Sequence, residues 1–311
     1  MEIASCRNGR PVATVIICAY NSRGRIDRAL DSLRAQDVDE PFEVIVVASG
    51  NDGCATYLAL RAPDVQLVSS NDRLFPGAAR NAGIARARGE VIAFLPDDGL
   101  AAPGWLQARL QRHREGFPLV AGAIANGTPL SAVGTASYYV EYAASMPIAA
   151  VLRRQPIPHT VSYVPEVFDR LGLFPEIEVP GEDTLFNHRC MEAGLPVAYE
   201  PRASIAHLNL TRVRDYLDHQ RDHGRGLARC VLDGGLSGPF ELAHGRPAAA
   251  VSAIVRYPLL RWVRTIRLLA AAAPLHVPPF LLLTPLIAAG YVSGGVGSWE
   301  TLSESIPSRD Q

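Results

Sequence analysis

Between residues 12 and 125 the chain alternates short apolar runs with longer stretches whose apolar positions recur roughly every three to four residues. The runs at 12–18, 42–47, 65–69, 91–95 and 119–125 read as buried strands. The stretches at 25–36, 77–87 and 105–115 read as amphipathic helices. Strand and helix in alternation predict βαβ units, hence an α/β fold with a Rossmann-like, mainly parallel sheet flanked by helices. From 127 to 201 the pattern loosens into a Tyr-rich helical stretch at 138–150 and a helix opening at Asp183. A strand at 203–208 follows, then a helix dense in Arg and His at 211–230, whose end is marked by Asp233, Gly234 and Gly235. The tail at 248–299 changes character. An apolar helix carrying Arg256, Arg261, Arg264 and Arg267 leads into a nearly uncharged run at 268–296. That run exceeds the about 20 residues of a membrane span, but Pro274, Pro278, Pro279 and Pro285 interrupt it. The expectation is a C-terminal helical apolar tail on, or re-entering, a membrane, its arginines facing anionic headgroups. A buried homodimer interface is the other reading.

The segment VIAFLPDDG, residues 91–99, ends an apolar strand on two adjacent acids, Asp97 and Asp98. In an open α/β sheet ligands sit beyond the carboxyl ends of the strands, where carboxylates hold a divalent cation against phosphate. Asp and Gly are also turn residues, so a simple turn is the competing reading.

Composition narrows the chemistry. All 30 basic residues are Arg, so a lysine Schiff base and a P-loop lysine are both excluded. With a formal net charge of -1 the chain has no overall attraction for nucleic acid, and anionic ligands must be held locally. Cys6, Cys18, Cys54, Cys190 and Cys230 form no C-x-x-C pair, which fits a reducing compartment. Residues 1–10 are polar and the first apolar run lacks a basic leader, so the amino-terminal part is expected to stay in the cytoplasm, peripheral on the inner face of the plasma membrane. No G-x-G-x-x-G follows the first strand; Ala19, Tyr20, Asn21 and Ser22 stand there, which argues against a Rossmann dehydrogenase.

Five fragments, VATVIICAYN, FEVIVVASGND, PGAARNAGIARARGEVIAFLPDD, LGLFPEIEVPGEDTLFNHRCMEAGLPVAYEP and IAHLNL, resemble the inverting GT-A glycosyltransferases of family 2 in order and spacing. The resemblance implies a nucleotide-sugar-binding half at 1–125, an acceptor-binding half at 126–235 and the tail at 236–311. It implies transfer of one sugar from a nucleotide diphosphate sugar to a cell-envelope, lipid-linked, glycan or small-molecule acceptor, assisted by Mn or Mg. Asp98 matches the metal-binding acid of the family's D-x-D motif and Asp97 its middle place, while Pro96 replaces the first Asp. His207 matches a histidine that in some relatives helps bind metal or diphosphate. Arg80 and Asn81 match the donor-side Ala-Arg-Asn segment. Ala19, Tyr20 and Asn21 stand where the nucleoside is held. Ser49 occupies the place of a base-reading Asp, with Asp52 as a substitute. Glu182 and Asp183 match the acceptor-site pair, Asp183 as general base; without the other motifs the two would read as helix N-terminal acids. The Q-x-x-R-W of processive synthases is absent, since Gln220 is followed by Arg221, Asp222, His223 and Gly224. His219 and His223 are spaced like a helical metal pair, but the sequence indicates no third ligand. Two alternatives stand beside the transferase: a sugar-nucleotide or glycan-binding module that has lost catalysis, and a nucleotidyltransferase.

Overall fold

The computed structural model describes residues 10–147, 160–233, 236 and 247–305. They fall into two compact units. The first comprises the described residues up to Gly127, Ser145–Glu176 and Glu182–Leu208; the second comprises Thr128–Ala144, Ile177–Gly181 and the described residues from Asn209 onward. The units cross the expected divisions at 125 and 235, because the Arg- and His-rich helix packs with the tail helices.

The first unit runs β1 (Ala13–Tyr20), α1 (Ile26–Arg34), β2 (Phe42–Ser49), α2 (Cys54–Arg61), β3 (Gln66–Ser70), α3 (Pro76–Ile84), β4 (Val91–Phe94), β5 (Gly99–Ala101), α4 (Trp105–Arg114) and β6 (Leu119–Asn126). After α5 (Ala132–Tyr142), which belongs to the second unit, it continues with β7 (Val161–Tyr163), α6 (Glu166–Leu171), α7 (Glu182–Glu192) and β8 (Val197–His207). The eight strands form one sheet in the order β3-β2-β1-β4-β7-β6-β8-β5. β3, β2, β1 and β4 are parallel, so β1 and β2 are covered on both faces and are apolar almost throughout. Helix α1 buries Ile26, Ala29, Leu30 and Leu33, the spacing that faces one stripe to the sheet. The acid inside β2, Glu43, is matched by Arg88 at 2.7 Å and by the Thr14 hydroxyl at 2.7 Å. The core closes on an aromatic cluster in which Phe174 and Phe186 lie 4.5 Å apart and Phe168 stacks on Phe186 at 5.3 Å.

The register Tyr20↔Ser49 and Ile16↔Phe94 brings the carboxyl ends of β1, β2 and β4 out along one edge. At that edge Pro96, which has no N–H to offer a ladder, ends β4, and Gly99 N–H donates to Pro96 O at 2.9 Å. The Asp97–Asp98 segment is therefore a turn as well as an acid pair. The turn feeds β5, which pairs antiparallel with β8 so that Gly99 lies opposite His207.

The second unit adds α8 (Val213–Leu232), α9 (Pro247–Ala272), α10 (Val277–Leu282) and α11 (Thr284–Glu304) to α5. Helices α8 and α11 approach backbone to backbone: a side chain at Gly224 would strike the Gly294 backbone, and one at Gly297 the Arg221 backbone. Much of the apolar run is thus spent on packing inside the chain. The expected prolines do break it, since the segments Pro274–Leu282 and Thr284–Glu304 meet at 79°, whereas α9 runs on through Pro258. No single described helix is long and apolar enough to cross a membrane, although that bent pair passes by length and composition. Arg261, expected to face lipid, is instead turned inward, donating to Val140 O at 2.7 Å and lying 4.9 Å from the Tyr291 ring. The positions 148–150 of the expected Tyr-rich helix, and Gly234 and Gly235, lie outside the described residues.

Candidate active site

The two acids after β4 are held differently. Asp97 Oδ2 accepts from Arg25 Nη2 at 2.8 Å and from the Ser22 hydroxyl. Asp98 Oδ1 lies 3.3 Å from His207 Nε2, a meeting fixed by the β5–β8 pairing and by Leu208 N–H donating to Asp98 O at 2.9 Å. Burial raises the Asp98 carboxyl above its ordinary value; the His207 ring opposes that rise and the Asp97 charge adds to it. A carboxylate short of solvent beside an imidazole nitrogen is a donor set that suits a divalent cation. The charge of Asp97 is already paired with Arg25.

The second acid pair opens α7, where the helix dipole favours negative charge. Glu182, 4% exposed, is ion-paired to Arg80 on α3. The Arg80 guanidinium lies over Phe94 at 5.5 Å and Phe174 at 5.2 Å, so the aromatic cluster forms its floor. Asp183, 9% exposed, accepts from Thr184 N–H at 2.7 Å through Oδ1. Arg80, matched in the sequence to the donor-side segment, is therefore mostly buried, at 19% side-chain exposure. Asn81 is fully engaged behind the site: its Nδ2 donates to Phe174 O at 3.0 Å and Glu176 Oε1 at 2.9 Å, and its Oδ1 accepts from Phe174 N–H at 3.0 Å. It clamps residues 174–176 onto α3 and places Arg80 rather than reaching outward.

At the ends of β1 and β2, Ala19 and Ser49 are buried, and Tyr20 is 40% exposed with Arg73 4.7 Å from its ring centroid. Asn21 has φ of 48°, the one positive value at a non-glycine among the described residues, and its N–H donates to Ser49 O at 3.3 Å. Asp52 accepts from Arg23 N–H at 2.9 Å and Cys54 N–H at 2.9 Å, so it braces the loop after β1 against the start of α2. Between these groups lies Cys18, whose thiol burial pushes up to about 11, with the Arg80 charge opposing and the Asp97 charge adding. Ser22, Arg25 and Arg73 escaped the sequence reading. Ser22 adjoins the noted Ala19–Asn21 segment, while Arg25 looked only like the first residue of a helix.

Comparisons with known proteins bear on the fold and the family. Residues 14–132 match the family model described as Glycosyl transferase family 2. The Pre-mycofactocin glycosyltransferase of Mycobacterium tuberculosis is 28% identical over 269 residues, covering 80% of this chain and 52% of the relative. The chain thus spans about half the length of that relative. The Succinoglycan biosynthesis protein ExoO of Rhizobium meliloti is 38% identical over 104 residues, 33% of this chain and 30% of the relative. Among solved structures, the mannosyltransferase PcManGT of Pyrobaculum calidifontis, in complex with GDP-Man and Mn2+, superposes with a TM-score of 0.60 at 22% identity over 94% of this chain and 88% of its own. The family model, these relatives and the sheet together support a family 2 glycosyltransferase with a GT-A-like fold.

Proposed function

We propose that the chain is a non-processive, inverting glycosyltransferase that moves one sugar from a nucleotide diphosphate sugar to an acceptor hydroxyl. The observation that carries this reading is the edge of parallel strands bearing both the Asp98–His207 pair and, above the aromatic floor, the Arg80–Glu182 pair with Asp183 beside it. Asp98 and His207 would hold a divalent cation, Mn or Mg, which when bound offsets the negative charge gathering on the departing diphosphate. The likeness to a structure in complex with GDP-Man and Mn2+ supports this assignment. Arg25 keeps Asp97 in place, and Arg80 supplies fixed positive charge at the same edge. Tyr20 offers a ring for a nucleoside base, with Ala19, Asn21, Ser49 and Asp52 shaping the loop beneath it. Asp183 takes the proton of the acceptor hydroxyl as its oxygen bonds to the anomeric carbon, and the bond from that carbon to the diphosphate oxygen breaks on the opposite face.

The acceptor is taken to be a cell-envelope, lipid-linked or other glycan, or a small molecule, met at the cytoplasmic membrane surface. The second unit supports this with exposed Val255, Leu259, Leu260, Leu275, Leu281 and Leu282 on or beside α9 and α10. Transfer assayed with UDP-, GDP- and dTDP-sugars, in the presence and absence of Mn2+ and with anionic vesicles, tests the reading. Turnover that disappears in Asp98→Ala and Asp183→Asn supports it. Sugar-nucleotide binding with no turnover across an acceptor panel would instead identify a module that has lost catalysis, and pyrophosphate release a nucleotidyltransferase.

A further inference from the structure

The pair His219 and His223, one turn apart on α8, gains in the structure the third donor that the sequence does not indicate. Glu141 on α5 faces them: its Oε2 lies 3.4 Å from His219 Nε2, and the two imidazole centroids are 4.4 Å apart. One donor atom from each of the three side chains lies within 4.8 Å of the others. Donors around a tetrahedral zinc ion, each about 2.1 Å from it, stand about 3.4 Å apart, so one edge already has that length and small side-chain rotations close the rest.

The carboxylate is prepared for such a role. Glu141 Oε1 accepts from Gln220 Nε2 at 2.5 Å and from Ser137 Oγ at 3.1 Å, which leaves Oε2 directed to the histidines. Ligating carboxylates are held by outer partners in this way. The carboxylate is nearly buried, at 7% side-chain exposure, while His219 is 39% exposed, so the trio has a closed floor and an open mouth. The cations nearest along α8 are committed elsewhere, since Arg221 and Arg225 both pair with Glu300. Arg261 donates to the Val140 carbonyl oxygen.

We propose that Glu141, His219 and His223 form a zinc site in the second unit, separate from the Asp98–His207 pair, with its fourth position turned to the open side and available to water or a substrate oxygen. Two imidazoles and one carboxylate suit zinc better than Mg or Ca, whose donors are oxygens.

The test uses tag-free full-length chain stripped with a chelator, then titrated with Zn2+ and separately with Co2+. Bound metal is counted by elemental analysis, and Co2+ coordination is read from its visible d–d bands. The wild-type chain is expected to take up one zinc per chain that persists in Asp98→Asn. That equivalent is lost in His223→Ala and His219→Ala. In Gln220→Ala, which removes only the outer partner, affinity falls by about 10–100-fold. Circular dichroism checks that each variant is folded; both histidines lie at partly exposed helical positions where Ala is well tolerated. Wild-type chain showing no four-coordinate Co2+ bands, or folded histidine variants that keep the zinc, would overturn the proposal. So would zinc uptake abolished only by Asp98→Asn.

Discussion

The two acid pairs of the first unit follow one plan with different surroundings. In each, the first acid is tied to an arginine, Asp97 to Arg25 and Glu182 to Arg80, and the second meets a lighter partner, Asp98 the His207 ring and Asp183 the Thr184 N–H. The difference is burial. The Arg25 side chain is 47% exposed, whereas the side chains of Arg80 and Glu182 are 19% and 6% exposed over an aromatic floor. In each pair the first acid is the anchored one, the proposed function gives the chemistry to the second, and the buried anchor matters more to the fold than the open one.

Breaking the plan at its working acids has the largest expected effect. Asp183→Asn should lower kcat by about 10²–10⁴-fold with nucleotide-sugar affinity nearly unchanged. Equal losses in kcat and affinity would make Asp183 a binding residue. Next, Glu182→Gln leaves Arg80 without its counter-charge and should cost about 3 kcal/mol of stability, read as a fall in denaturation midpoint. Arg25→Ala sharpens the contrast, because an exposed pair is worth about 1 kcal/mol or less, so its effect should appear in donor affinity and hardly in stability.

The smallest effects are pH-dependent and lie outside both pairs. Burial depresses the His113 imidazole to about 4, against an ordinary 6.5, with its ring nitrogens engaged by Phe117 O and Ser162 Oγ. The unfolded chain therefore binds the proton first, and stability present above pH 6.5 should decline as pH falls toward 4. Glu200, held down to about 2 by Arg202 and Arg112, should extend the loss from its ordinary 4.5 down to about pH 2. Chemical denaturation at stepped pH should show the first slope flattened in His113→Gln and the second flattened in Glu200→Gln.

The strands of the parallel sheet were legible because burial on both faces leaves nearly continuous apolar runs, as in β1 and β2. The three-residue β5 and β7 were not, since so few residues carry no period, yet β5 is what brings His207 to Asp98. Motif order singled out Asp98, Asp183 and Arg80 as candidates; Arg25 and Ser22 were not singled out, because a grip on Asp97 from 72 and 75 residues away leaves no local pattern. Asn81 carries a donor-side signature, and only the structure discloses the three hydrogen bonds by which it also clamps residues 174–176. In the tail the prolines gave the breaks, while the inward turn of Arg261 and the Gly224–Gly294 approach depend on partners far along the chain.

The division of labour is tested most directly by titrating nucleoside diphosphates into wild-type, Asp97→Asn and Asp98→Asn protein, with and without Mn2+. The account predicts that Asp98→Asn abolishes the metal-dependent part of binding, while Asp97→Asn weakens binding but leaves it metal-dependent. Metal dependence that survives in Asp98→Asn and vanishes in Asp97→Asn would contradict it.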